Sequence, residues 1–120
     1  MTENELDPIT PQEAIDWYLE HCRDDLRTST RRKHRLALAT FVDWTDEAGI
    51  ENMNDIGGRQ LMEFKTWRKN ESDLVTVSLN GNLAILQRYL RFCENIDVID
   101  DGVADRVPLP NVPPEGLPET

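Results

Sequence analysis

Residues 76–95 read TVSLNGNLAILQRYLRFCEN, and this stretch decides the fold. Leu79, Leu83, Leu86, Leu90 and Cys93 recur at steps of four, three, four and three, which places them on one face of an α-helix. Ile85, Tyr89 and Phe92 widen that stripe. Gly81 costs the helix about 1 kcal/mol relative to alanine, and it leaves room for another backbone or DNA to approach.

The sequence before it holds three more helices. Gly57-Gly58 precedes a shorter one at about 59–70, with Leu61, Phe64 and Arg68 inward and Met62 and Trp67 flanking. Upstream, Thr28-Ser29-Thr30 offers three residues able to cap a helix start. That second helix has two overlapping stripes, Leu38, Phe41, Val42, Thr45 and Ala37, Phe41, Trp44, Ala48. Gly49 reads as its left-handed terminating residue, with Ile50 packing back over the end. The first helix opens at Thr10-Pro11-Gln12-Glu13, where threonine caps, proline takes the first turn and glutamate closes a capping box. Ile15, Tyr18, Leu19, Cys22 and Leu26 then share a face, which predicts a helix over about 11–25. No internal repeat and no strand pattern is visible. The expectation is an all-α bundle of four helices over residues 10–96, a fraying start at 1–9, and a Pro-rich acidic linker over 97–120.

Length and composition agree with one domain. The chain has 120 residues, 38% of them hydrophobic and 30% charged, so one core is affordable and two are not. No apolar run approaches a membrane span or a secretory signal. Cys22 and Cys93 are too few for a disulfide scaffold, which points to a reducing cytoplasm.

Charge is where function first shows. The net charge is −10, yet residues 26–42 hold Arg27, Arg31, Arg32, Lys33 and Arg35 and no acid. Residues 1–25 carry one base and eight acids, and residues 94–120 one base and seven acids. An acidic chain with one concentrated basic segment has the electrostatic footprint of a phosphate-binding face. The segment also falls on the first turns of the second helix, where unpaired N–H groups and the positive dipole end add to the side chains. A solvated helix face is the competing reading. Arginine outnumbers lysine ten to three, and the surrounding acidity resembles proteins adapted to concentrated salt.

Catalytic and metal patterns are missing. His21 and His34 open no ligand pair, since adjacent His21 and Cys22 point about 100° apart on a helix. No phosphate loop, dinucleotide glycine pattern or serine elbow occurs. Cys22 and Cys93 lie on apolar stripes and read as buried thiols. The expectation is no enzyme, no cofactor and no metal.

The order of elements resembles a known family. The capped first helix, Ser29-Thr30 opening a basic helix that ends in Phe41-Val42-Asp43-Trp44 and Gly49-Ile50, and the run Val77–Glu94 are similar to the N-terminal core-binding (SAM-like) domain of tyrosine recombinases, the phage-integrase superfamily, in its halophile branch. The resemblance covers about residues 10–107. It implies two crossed helical hairpins forming half of a clamp on double-stranded DNA, with strand cleavage left to a C-terminal catalytic domain that this chain lacks and with other recombinase protomers as partners. Carried onto matching positions, DNA contact falls to Ser29, Thr30, Arg31 and Lys33 with neighbours Arg27, Arg32 and Arg35, and to Ser78, Asn80 and Asn82. Asn80 replaces a basic residue common in relatives, and His34 stands where an aromatic is usual. Tyr18 and Tyr89 match core positions and are not nucleophiles. A helical protein–protein module is the alternative.

Overall fold

The computed structural model describes residues 6–71 and 76–108, without side chains at 71 and 76–80. Four helices, α1 (Pro11–His21), α2 (Thr28–Ala48), α3 (Gly58–Glu71) and α4 (Thr76–Asn95), carry the architecture, and there is no strand among the described residues. The fold is therefore the all-α four-helix bundle expected from the spacing. α1 packs on α2 and α4, α2 packs on α3 and α4, and two short 3-10 turns, Met53–Asp55 and Ala104–Arg106, close the connections.

Each helix starts and stops for a local reason. Thr10 caps α1 by accepting from the Glu13 N–H at 3.1 Å, and Glu13 returns a bond to the Thr10 N–H at 3.2 Å. α1 ends at His21, four residues before the periodicity suggested. Asp24 and Asp25 there oppose the negative dipole end, and the chain turns at Cys22, which accepts from Asp25 and Leu26. Leu26 still reaches the core edge. α2 terminates at Gly49, whose φ of 76° is left-handed, and the Ile50 N–H returns to the Thr45 carbonyl at 2.9 Å.

The predicted stripes form one core. Ile15, Tyr18, Leu19 and Cys22 of α1, Leu38, Phe41 and Trp44 of α2, and Leu61 and Phe64 of α3 are buried. α4 contributes Leu83, Leu86, Tyr89, Leu90, Phe92 and Cys93, while Leu79 lies outside the described side chains. Ala48 is exposed, so the second stripe of α2 stops at Trp44.

Folded structure extends past residue 96, where helical periodicity ends. Val98, Ile99, Val103, Ala104 and Val107 are buried in the same core. The polar edge of α4 holds them: Gln87 Nε2 donates to the Ala104 carbonyl at 3.1 Å, Glu94 Oε2 accepts from the Ala104 N–H at 2.7 Å, and Arg91 pairs with Asp105 at 2.8 Å. Asp97 and Gly102 adopt positive φ, which breaks any period a sequence pattern could follow. The linker composition after Pro108 lies outside the described residues. The start is tied down as well. Asp7 N–H donates to the Asp97 carbonyl at 3.0 Å, Met53 N–H to Ile9 at 2.8 Å, and Asn54 Nδ2 donates to the carbonyls of both Asp7 and Val98.

Candidate nucleic-acid interface

The basic segment begins at a helix end unlike that of α1. The N-cap of α2 is Arg27, which makes no side-chain capping bond, and the first turn contains no acid. Ser29 and Thr30, read from sequence as cap residues, sit inside that turn. Arg31 N–H is the first to reach back along the helix, to the Arg27 carbonyl at 2.9 Å. The amides of residues 28–30 are thus the unpaired donors every helix start leaves, and here nothing among the described residues takes them. Three ion pairs occur among the described residues, Arg23–Glu20, Arg59–Glu63 and Arg91–Asp105, and none involves the five bases of the segment. Five cations, free amides and the positive end of a 21-residue helix therefore lie in one segment with no ion-paired counter-charge among the described residues.

Not all of these groups share one surface. His34 is buried, and at 100° per residue Lys33 and Arg35 project to opposite flanks of it while Arg32 points away. Arg31, three residues before His34, lies toward the bundle. Arg27, Ser29, Arg32, Lys33 and Arg35 are exposed, Thr30 and Arg31 half-buried. The Arg31 Nε is enclosed yet has no hydrogen-bond partner among the described residues. On α4, Asn82 is half-buried, and the side chains of Ser78 and Asn80 lie outside the described residues. Gly81 faces open space, with nothing within 4 Å of where a Cβ would stand.

The seam below the basic segment is aromatic. Tyr18 Oη and His34 Nδ1 are 2.8 Å apart, and the two rings are nearly parallel at 8°. Tyr18 also meets Tyr89 and Phe92 edge-on, at centroid distances of 5.7 and 5.8 Å. His34 thus occupies an aromatic position by acting as one, with its polar edge satisfied by the tyrosine. Burial lowers its pKa, and the charges of Arg88 and Lys33 lower it further, so it stands neutral among cations. Burial likewise raises the Tyr18 and Tyr89 hydroxyls and pushes the Cys93 thiol up to about 12. Both cysteines are free and buried.

Sequence reasoning missed Arg88, a single base in mid-helix whose proximity to His34 joins positions 54 residues apart. It is exposed, without an ion pair or hydrogen bond among the described residues. A second missed feature is Trp17. It is 62% exposed beside an apolar groove of about 530 Å³ between α1 and α4, floored by Phe92 and Ile96 and rimmed by Asp16 and Glu20.

No family model and no curated protein matches this chain. Among solved structures, it is similar to the crystal structure of the N-terminal domain of a phage integrase/site-specific recombinase from Haloarcula marismortui. The two are 33% identical, with a TM-score of 0.83 over 87% of this chain and 99% of that one.

Proposed function

The chain belongs to the N-terminal domains of phage integrases and site-specific recombinases, and from that premise we propose that it binds duplex DNA through the start of α2, as one arm of a clamp. The uncompensated basic helix end carries this reading. A phosphate there meets free amides, the hydroxyls of Ser29 and Thr30, and arginines able to hold it bidentately. The start of α4, with Ser78, Asn80 and Asn82, approaches a base edge in the same arm, since asparagine can pair with the N6 and N7 of adenine. Strand cleavage belongs to a separate catalytic domain, and this arm positions the duplex for it. Other protomers on the same DNA and the catalytic domain, acting through a tether, raise the effective concentration of a module that binds weakly alone.

The net charge of −10 is compatible with this role. Acidity distributed away from residues 26–42 keeps the chain soluble in a salt-rich cytoplasm while the basic helix end stays free of it. Salt then governs affinity. With about five phosphates neutralised, log K falls against log salt with a slope of about −4.5.

Fluorescence anisotropy on a short duplex over a salt series tests the reading. Replacing Arg31, Arg32 and Lys33 together by glutamine abolishes binding and leaves the helical circular dichroism intact. Undiminished binding by that variant removes α2 from the interface. The Trp17 groove favours a second reading, a protein-docking module. A monomer–dimer equilibrium indifferent to DNA and lost in Trp17→Ala supports that reading over the first.

A further inference from the structure

Among the described residues three large apolar side chains stand in solvent, Trp17, Leu36 and Met62, and two of them have complementary surroundings. Trp17 walls the groove between α1 and α4, whose lining holds two carboxylates, Asp16 and Glu20, and no lysine or arginine. A second hollow of about 390 Å³ adjoins Trp17 and adds Ile9 and Glu13. Asp16 takes the neutral Gln12 amide at 3.0 Å, which leaves its charge uncompensated. Glu20 meets Arg23 at 3.1 Å in an exposed pair that costs little to exchange. The groove is an apolar socket with an acidic rim.

Leu36 on α2 has the opposite rim. It is 66% exposed, and at 100° per residue Arg32, Arg35 and Ala39 share its face, all of them exposed. Neither arginine has an ion pair among the described residues. An apolar side chain set between arginines gains nothing from a phosphate backbone, whereas it fits an apolar socket ringed by acids. The opposite face of α2, with His34, Leu38 and Phe41, is buried, and α2 packs on α1 and α4. Leu36 therefore points away from the groove and cannot fill that of its own chain. Met62 differs, because it shares a hollow with Glu63, and Arg59 nearby is already paired with that acid at 3.6 Å.

We propose that a second copy of this chain docks in the groove, its Leu36 entering beside Trp17 over Phe92 and Ile96 and its Arg32 and Arg35 meeting Asp16 and Glu20. The inference deepens the docking reading of the groove and rests on it. Each copy offers one knob and one socket, so the contact is heterologous and joins copies head to tail. Charge selects this pairing: two sockets repel, two knobs repel, and only knob against socket brings opposite signs together.

Sedimentation velocity over a concentration series, in low salt and without DNA, tests it on the parent, Trp17→Ala, Leu36→Gln and a Met62→Gln control. Loss of either anchor weakens association roughly tenfold or more, and Met62→Gln matches the parent. Circular dichroism checks that each exposed substitution leaves the helices intact. An equimolar mixture of Trp17→Ala and Leu36→Gln then recovers a one-to-one complex at the parent's affinity, since one copy keeps the knob and the other the socket. A mixture that associates no better than its components overturns the inference. If Trp17→Ala weakens association and Leu36→Gln does not, the groove docks another face of the chain; the inference falls and the docking reading stands. If Trp17→Ala associates like the parent, the docking reading falls with it. A parent that stays monomeric to about 1 mM excludes a second copy as the occupant, leaves the groove to a different protein and overturns the inference.

Discussion

A single hydroxyl, Tyr18 Oη, ties α1 to the functional end of α2. Tyr18→Phe leaves His34 Nδ1 buried without its partner, and a loss of about 1–3 kcal/mol is expected in urea unfolding. Protonation acts through the same pair. Because folding lowers the pKa of His34 below its ordinary 6.5, the unfolded chain takes up the proton first as pH falls. Stability is complete above that value, drops as pH falls through it, and levels off below the depressed folded value. His34→Phe removes most of this drop, and a urea midpoint that falls as steeply in the variant as in the parent rejects the account. The thiols are inert for a related reason. Cys93 is fully enclosed with its thiol pushed up to about 12, so Ellman's reagent reacts with it only after unfolding. Periodicity alone puts Tyr18, Tyr89 and both cysteines in the core. The Tyr18–His34 bond is invisible to it, because it links side chains on two helices, 16 positions apart.

Caps and stripes made the helices legible at the level of elements. Capping boxes, a left-handed glycine and i, i+3, i+4 spacing are local rules, and α1, α2 and α4 obey them. The start of α2 is where the local rule misleads. Ser29 and Thr30 look like caps, yet Arg27 takes the cap position and bonds nothing with its side chain. A helix end left so is a candidate site because its own stability is not what the residues there serve. Gly81 tests the same idea on α4. Its open surroundings mean Gly81→Ala meets no steric obstacle within the fold and raises stability by about 1 kcal/mol. If the new methyl also weakens DNA binding, a duplex comes close at that turn. Unchanged affinity places the duplex elsewhere along α4.

For the whole molecule, salt pulls folding and binding in opposite directions. A chain at −10 repels itself, so its thermal midpoint rises as potassium chloride goes from about 0.1 M toward 1 M, where the screening length shrinks from about 10 Å to 3 Å. DNA affinity falls over the same range. A midpoint that stays flat removes self-repulsion as the reason for salt dependence. The segment after α4 is the largest part of the fold that the sequence did not disclose, because Val98, Ile99, Val103 and Val107 are spaced by turns and positive-φ residues and share no period. Their burial makes them structural: a chain cut after residue 96 exposes the core face of α4 and loses cooperative thermal unfolding. The tie at Asn54 has a further consequence for how the protein is made. Its two carbonyl partners, on Asp7 and Val98, come from opposite ends of the folded chain, and the Asp7 amide also waits for Asp97. A ribosome delivers residue 7 well before residue 98, so the segment around Asp7 travels unfastened until the last buried turns of this domain have emerged.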